Sequence, residues 1–205
     1  MQIAYNAKLN SGCLSRQVGA VITDSHYSVK AVGWNSVAEG QVPCNLRNAE
    51  NYLINKDKSS FSTYELENQE FIDHMHKEYK RKIGLSSLKG RLCSYCFKDE
   101  YEQITLQKNQ VHTRSLHAEE NAFLQIVKYG GEGIQGGKLF TSASSCVLCS
   151  KKAFQLGIKD IFYIDPYPDI ATSHILSFGK DKTKCPKCHL FYGAIGRAYT
   201  CLSLI

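Results

Sequence analysis

His117-Ala118-Glu119 and, 27 residues after the glutamate, Cys146-Val147-Leu148-Cys149 form the pattern that decides how this 205-residue chain is interpreted. One imidazole and two thiolates supply three ligands for a tetrahedral Zn²⁺ and leave a fourth position open, which distinguishes a catalytic zinc site from a closed structural one. Zinc lowers the pKa of a bound water to about 7, so hydroxide is available at physiological pH. Glu119 stands beside the ligands in sequence without being needed as one. The pattern therefore predicts a hydrolytic zinc centre with His117, Cys146 and Cys149 as ligands and Glu119 as the catalytic proton-transfer group.

The segments around this pattern alternate between helix and strand. Two apolar runs separated by a turn at Asp24-Ser25-His26 predict a β-hairpin, and the stretch 116–129 predicts a helix that begins at His117. The predicted elements, in chain order, are a helix at 2–10, strands at 18–22 and 29–34, the helix at 116–129, a strand at 138–141, a helix at 146–156, a strand at 160–164, a helix at 170–178, a strand at 190–192 and a helix from 194. This order predicts an α/β sandwich with helices on both faces of a mixed sheet. It also places both ligand segments at helix N-termini, where partial positive charge favours thiolate over thiol.

The middle of the chain carries a separate helical signal. Ser62-x-x-Glu65 is a capping-box signature, and Phe71, Met75 and Tyr79 recur behind it at helical spacing. We expect one helix from about Thr63 to Lys82, with its two histidines, at 74 and 76, exposed to solvent.

These motifs resemble the zinc-dependent cytidine and deoxycytidylate (dCMP) deaminases, whose pattern is H-x-E followed by P-C-x-x-C. One departure is visible, because Ser145 stands where the pattern has proline. The stretch 11–22, Gly33-Trp34-Asn35 and Phe191-Tyr192-Gly193-Ala194 resemble the dCMP deaminases in particular. The resemblance implies a cytidine-deaminase-like α/β/α sandwich with a mixed central sheet. Because about 45–112 has no counterpart in the compact members, we expect a single domain, 1–205, with a helical insertion there.

The resemblance also implies a reaction and a set of contacts. The reaction is hydrolytic deamination of a deoxycytidine nucleotide, dCMP to dUMP, with dCTP to dUTP as a further candidate. The implied substrate-binding residues are Arg16 at the phosphate, Asn35 at the sugar, and Ala118, Tyr163 and Tyr167 close by. Arg16 as a surface arginine and Tyr163 as a core residue are the alternatives. Members of this kind self-associate, so a homo-oligomer is expected. The chain is also similar to the deaminase half of proteins that deplete deoxycytidine nucleotides in antiphage defence.

Nine cysteines, an odd number with several C-x-x-C pairs, indicate metal binding in a reducing compartment rather than a disulfide framework. Two further pairs predict a second, structural Zn²⁺; the candidate ligands are Cys93, Cys96, Cys185 and Cys188. A mixed site using His112 or His189, two reduced pairs and a redox couple are alternatives. The remaining cysteines, Cys13, Cys44 and Cys201, are expected to be small buried thiols.

The composition sets the remaining expectations. The net charge of +6 suits a phosphate-bearing substrate or another acidic partner. A deaminase that acts on cytosine or adenine in single-stranded DNA or tRNA is the alternative, but the lysine clusters lie far from the zinc pattern in sequence. A zinc-stabilised binding module without catalysis is a third hypothesis, against which the intact Glu119 argues. No apolar run is long enough to cross a membrane, and no signal segment opens the chain, so no membrane partner and a cytoplasmic location are expected.

Overall fold

The structure is a computed structural model that describes residues 1–55, 58–83, 91–108, 110–131, 133–166 and 170–202. The chain forms two compact units. The first comprises Met1–Ser11, Gln17–Asn35 and His117–Ile205, and the second comprises Gly12–Arg16 and Ser36–Leu116. A single domain with an insertion at about 45–112 remains a prediction.

The first unit is built around a five-stranded mixed sheet. Its elements are α1 (Gln2–Ala7), β1 (Gly19–Thr23), β2 (Val29–Trp34), α5 (Ala118–Tyr129), β5 (Lys138–Ala143), α6 (Val147–Gln155), β6 (Asp160–Asp165), α7 (Ala171–His174), β7 (Lys187–Leu190) and α8 (Arg197–Leu202). The second unit contributes the helices and strands that lie between β2 and α5 in sequence. The strand order is β2-β1-β5-β6-β7. Strand β1 runs antiparallel to β2 and β5, whereas β5, β6 and β7 are mutually parallel. The predicted mixed sheet is therefore confirmed.

Helices cover both faces of this sheet, as two glycines show. A Cβ at Gly33 would lie 2.4 Å from the carbonyl oxygen of Ala118 and 2.5 Å from the nitrogen of Ala122, so α5 packs directly on β2. A Cβ at Gly19 would lie 2.1 Å from the carbonyl oxygen of Ala4, so α1 packs directly on β1. Gly33 pairs with Ala20, the residue after Gly19, and successive strand residues point to opposite faces. The two helices therefore lie on opposite faces, and the predicted sandwich is confirmed.

The core of the first unit lies between the sheet and α5 and α6. This core is apolar, and it contains alanines where backbones approach closely. Its main members are Ala20, Ile22, Ala118, Ala122, Phe123, Leu139, Ala153, Ile158 and Ile161. These side chains fix the starts of α5 and α6 relative to the strand ends, which is where the predicted metal ligands stand.

Three elements of this unit differ from the sequence predictions. The helix expected at 170–178 is a single turn, Ala171–His174, because Ile175 and Leu176 turn into the core instead of continuing the helix. The last strand is Lys187–Leu190 rather than 190–192, and the last helix begins at Arg197 rather than at Ala194. In the described part of the chain, no helix is both long enough and apolar enough to span a membrane.

The second unit contains α2 (Thr63–Glu67), α3 (Gln69–Ile83), α4 (Phe97–Thr105) and the short antiparallel pair β3 (Ser36–Val37) and β4 (Ser115–Leu116). A π-helical turn, Asn51–Asn55, precedes the helices. The capping box is confirmed, because the Ser62 hydroxyl accepts the Glu65 N–H and the Glu65 carboxylate accepts the Ser62 N–H. The single helix predicted from Thr63 to Lys82 is wrong. Asn68 adopts an extended conformation and its side chain accepts the Phe71 N–H, which ends one helix and caps the next.

An aromatic core with one buried ion pair holds the second unit together. Its buried apolar members are Ala49, Tyr52, Phe61, Phe71, Met75, Tyr79 and Tyr95. The Arg47 guanidinium lies among these rings, 4.8 Å from the centre of Phe61 and 4.6 Å from that of Tyr95. It forms a fully buried ion pair with Glu65.

One histidine of the second unit was predicted wrongly. The ring of His74 is only 15% exposed, and its Nε2 lies 2.7 Å from the buried Glu100 carboxylate on α4. No sequence pattern indicated this pairing, because α4 was not predicted.

Candidate active site

The three predicted metal ligands meet in the first unit. The Nδ1 atom of His117 lies 3.4 Å from the Sγ of Cys146 and 3.4 Å from the Sγ of Cys149. With Zn–S near 2.3 Å and Zn–N near 2.05 Å, a tetrahedral zinc separates nitrogen and sulfur ligands by about 3.6 Å. The donor set and its spacing therefore fit Zn²⁺. In the described ranges, this is the one group in which three or more His, Cys, Asp or Glu ligand atoms gather closely enough for a metal.

Helix starts position these ligands. His117 is the N-cap of α5 and Cys146 is the N-cap of α6, while Cys149 lies in the first turn of α6. Their backbones are held by the helices they open, since the Asn121 N–H donates to the His117 carbonyl and the Ser150 N–H donates to the Cys146 carbonyl. The expected placement of the ligands at two helix N-termini is thus what the structure has.

The electrostatics of the group favour a bound cation. A hydrogen bond from the Cys149 thiol, followed by one from His117, lowers the pKa of Cys146 to about 4. The hydrogen bond to Cys146 in turn raises the pKa of His117, and the Cys146 sulfur together with burial raises the pKa of Cys149. The three side chains compete for protons because their donor atoms face one another. A divalent cation replaces those protons and lets both sulfurs ionise.

Glu119 is buried beside the ligands. It lies in the first turn of α5 and is 4% exposed. Burial raises the pKa of its carboxyl group above the usual range, because desolvation penalises the charged form. A carboxyl group with a raised pKa can both accept and return a proton near neutral pH, which is what a proton shuttle needs.

Asn35 lies at the end of β2 in the same unit and is buried. Its side-chain oxygen accepts the Val18 N–H at 2.7 Å, and its backbone carbonyl accepts the Ser11 hydroxyl at 2.8 Å. One residue earlier, the Trp34 carbonyl accepts the side-chain amide of Asn121 at 2.8 Å. Asn121 therefore ties the strand end that carries Asn35 to the helix that carries Glu119. Sequence reasoning missed Asn121, although its position one helical turn after His117 was a usable signal.

The structure does not assign a role to the other predicted substrate residues. Ala118 is fully buried in the core of the first unit. Tyr163 lies on β6, paired with Thr141 on β5 and Leu190 on β7, and is partly exposed. Arg16 belongs to the second unit, and Tyr167 lies outside the described residues. Roles for these four residues remain predictions.

The second cysteine set is divided between the units. Cys93 and Cys96 belong to the second unit, and Cys185 and Cys188 belong to the first. Cys188 packs against the core of its unit, and the Cys185 thiol lies 3.5 Å from the Phe178 carbonyl oxygen.

The three remaining cysteines are not alike. Cys13 and Cys44 are buried, as expected, whereas Cys201 is exposed at the surface of the last helix. Cys13 and Cys44 both influence the pKa of the Cys96 thiol. Burial raises the pKa of Cys96 to about 12, and the neighbouring Cys44 and Cys13 contribute in the same direction. Among the described residues, however, these three sulfur atoms do not gather closely enough to hold a metal.

Two phage deoxycytidylate deaminases have similar sequences. Deoxycytidylate deaminase of Enterobacteria phage T2 is 29% identical over 168 residues, which are 82% of this chain and 78% of that protein. Deoxycytidylate deaminase of Enterobacteria phage T4 is also 29% identical over 168 residues, 82% of this chain and 76% of that protein. The structure is also similar to a crystal structure of dCMP deaminase from cyanophage S-TIM5 in complex with dCMP and dUMP. The match covers 92% of this chain and 90% of the phage chain, with 20% sequence identity and a TM-score of 0.49.

A family match covers most of the chain. Residues 1–165 match the family described as the cytidine and deoxycytidylate deaminase zinc-binding region. This range contains β1, β2, the ligands His117, Cys146 and Cys149, and Glu119. By this match, and by the ligand geometry within it, the chain belongs to the zinc-binding cytidine and deoxycytidylate deaminase family.

Proposed function

We propose that this protein is a zinc-dependent hydrolase that converts dCMP to dUMP with release of ammonia. The observation that carries the proposal is the buried Glu119 beside a three-ligand group whose spacing fits tetrahedral zinc. The names of the phage relatives support the nucleotide substrate. The alternative, deamination within single-stranded DNA or tRNA, has no comparable support.

The residues of this chain divide the chemistry between them. His117, Cys146 and Cys149 hold the metal, which when bound supplies an activated water. Glu119 accepts a proton from the water and delivers it to ring N3 of cytosine, while the hydroxide oxygen adds to C4. Glu119 then takes the proton of the new C4 hydroxyl group and passes it to the amine, so that the C4–N4 bond breaks and ammonia leaves. The balance is dCMP and water to dUMP and ammonia. We assign Asn35 to the sugar and Arg16 to the phosphate, with Ala118, Tyr163 and Tyr167 as further contacts.

Ammonia release with chromatographic product analysis tests this function. Purified zinc-loaded protein is given dCMP, dCTP, cytidine and a single-stranded DNA oligonucleotide in parallel. We expect turnover of dCMP to dUMP, and turnover of dCTP as well would favour the nucleotide-depletion role. Conversion of the oligonucleotide without turnover of any free nucleotide would reject the proposal and favour the polynucleotide alternative.

We also propose a second, structural zinc held by cysteines outside the active site. The predicted ligands are Cys93, Cys96, Cys185 and Cys188. A mixed site that uses His112 or His189 is the alternative ligand set. The expected metal content of purified protein, measured by plasma mass spectrometry, is two zinc ions per chain.

Two cysteine variants test the predicted ligand set. Cys185→Ser should reduce the zinc content to about one per chain, whereas Cys44→Ser, at a buried thiol outside the predicted set, should keep two. Deamination should continue in either variant, because the catalytic ligands are intact. One zinc ion per chain in the unaltered protein would end the proposal.

We propose further that the protein forms a homo-oligomer and that it is located in the cytoplasm. The exposed apolar side chains of Leu124 and Val127 on α5 and Leu148 on α6 support self-association. Sedimentation of the purified protein tests this, since a monomer at micromolar concentration would contradict it. A cytoplasmic location is supported by the nine cysteines, all of them free thiols, which are typical of a reducing compartment. Fractionation of the source cells tests it, since recovery outside the cytoplasm would contradict it.

A further inference from the structure

Asn121 connects two segments of the first unit that are far apart in sequence. Its side-chain amide donates to the Trp34 carbonyl at 2.8 Å, and its backbone N–H donates to the His117 carbonyl at 2.9 Å. Asparagine is a poor helix former, because its side chain competes with the helix for backbone hydrogen bonds. The contact with β2, rather than the stability of α5, therefore accounts for an asparagine at this position.

The end of β2 directs one carbonyl group away from its neighbouring strand. In the sheet that the described residues form, β2 is at the edge, and the Asn35 N–H donates to the Val18 carbonyl on the side of β1. Successive residues of a strand direct their backbone groups to opposite sides, so the Trp34 carbonyl points away from β1. On that outer side, the Asn121 amide supplies the hydrogen bond that a further strand would make.

Two kinds of contact join α5 to β2, and they have different effects. Gly33 lets the helix backbone approach closely, since a Cβ there would lie 2.4 Å from the Ala118 carbonyl oxygen. Apolar packing of this kind is non-directional, and it sets the distance between the helix and the strand. A hydrogen bond is directional, with a preferred N–H···O angle above about 150°. The Asn121 contact therefore sets the position of the helix along the strand.

Both ends of this connection carry residues of the proposed site. The helix begins with the metal ligand His117 and the buried Glu119. At the strand end, Asn35 follows Trp34 directly and is buried. Sliding of the helix along the strand would change the separation between Glu119 and Asn35. A misplacement of about 1 Å at a reacting centre can lower the rate by about 100-fold.

We propose that Asn121 is a positioning residue that fixes Glu119 relative to Asn35, so that a cytosine whose sugar contacts Asn35 is aligned with the proton-transfer group. This role rests on the proposed function, because it uses the parts assigned there to Glu119 and Asn35. Asn121 acts through the backbone of Trp34 at one end and through the start of α5 at the other.

Steady-state kinetics of Asn121 variants with dCMP test this role. Asn121→Ala should lower kcat by about 10-fold to 100-fold and keep KM within about three-fold, because the nucleotide still binds but its base is misaligned. Asn121→Asp keeps the size of the side chain and loses the amide donor, so it should be equally slow. The matched control is Gln125→Ala, one helical turn further along α5, where the side chain forms no hydrogen bond with another described residue. This control should keep kcat within about two-fold.

A double-mutant cycle separates positioning from a general loss of structure. In an Asn35→Ala background, Asn121→Ala should lower kcat/KM by less than about two-fold, since the residue through which it acts is already removed. The zinc content of each variant should equal that of the unaltered protein. A full, additive loss in the double variant would overturn the role. An increase in KM at unchanged kcat, or loss of zinc in Asn121→Asp, would overturn it as well.

Trp34 provides a readout that does not depend on turnover, because it is the only tryptophan of the chain. A strand end without its outer hydrogen bond opens more often to solvent. Acrylamide quenching of Trp34 fluorescence should therefore increase in Asn121→Ala and Asn121→Asp and stay unchanged in Gln125→Ala. Equal quenching in all three variants and the unaltered protein would show that Asn121 does not hold the strand end. If the unaltered protein turns over no nucleotide but quenching responds as expected, the proposed function fails and Asn121 remains the residue that fixes α5 against β2.

Discussion

Glu119→Gln should lower kcat for dCMP by about 10³-fold, within the 10²–10⁴-fold that a positioned acid–base group contributes. The amide has nearly the same size as the carboxyl group, so the buried space next to the metal ligands stays filled. It cannot accept the proton of water or return one to the leaving amine. Zinc content and Tm should remain close to those of the unaltered protein, because Glu119 is not a metal ligand.

Glu120→Gln is the matched control for this variant. The same substitution is made one position further along α5, at a partly exposed residue that forms an ion pair with Lys152. Its kcat should stay within about two-fold, since surface ion pairs contribute little. If the Glu119→Gln variant retained more than a tenth of the unaltered kcat, or lost its zinc, Glu119 would not be the proton-transfer group.

Glu65→Gln should destabilise the second unit by about 3–5 kcal/mol, the cost of leaving a buried charge without its partner. Glu65 and Arg47 are both fully buried and form an ion pair. The same carboxylate accepts hydrogen bonds from the Tyr95 hydroxyl at 2.9 Å and the Ser62 hydroxyl at 2.9 Å. Among the described residues, the Nε and Nη1 atoms of Arg47 find no acceptor, so the Glu65 carboxylate is its principal compensation.

Urea denaturation followed by tyrosine fluorescence measures this effect. The double variant Arg47→Met with Glu65→Gln should recover part of the loss, because it removes the uncompensated charge and keeps apolar contact with Phe61 and Tyr95. Lys152→Met, which breaks the exposed pair with Glu120, should change the free energy of unfolding by less than about 1 kcal/mol. A loss below 1 kcal/mol in Glu65→Gln would show that the buried pair does not organise this unit.

Much of the site could be predicted from the sequence because its information is local. A histidine and a C-x-x-C pair at two helix starts are set by the helical repeat and by ligand chemistry, and the structure brings all three donor atoms together. The hairpin of β1 and β2 and the alternation of β5, α6 and β6 follow from hydrophobic periodicity in the same way. These features need only a few neighbouring residues to be specified.

Tertiary contacts decided the remainder. The hydrophobic periodicity of a helix continues through Asn68, yet one helix ends there and another begins. The reason is that the Asn68 side chain caps the helix that follows. Glu65 was predicted only as half of a capping box, but the fold also pairs it with Arg47, 18 residues earlier, and with Tyr95, 30 residues later. No spacing rule connects such residues, because they meet only when the aromatic core closes around them.

The sequence by itself determined the class of fold and singled out the three residues whose donor atoms meet, and it predicted Glu119 as the proton-transfer group, since each depends on residue type and short spacing. Only the tertiary structure decided that the Glu119 carboxyl group is buried. It also decided that Asn121 holds the strand end bearing Asn35. The physical reason is that burial and hydrogen-bond partners at a site come from segments far apart in sequence, brought together by packing of the shared core.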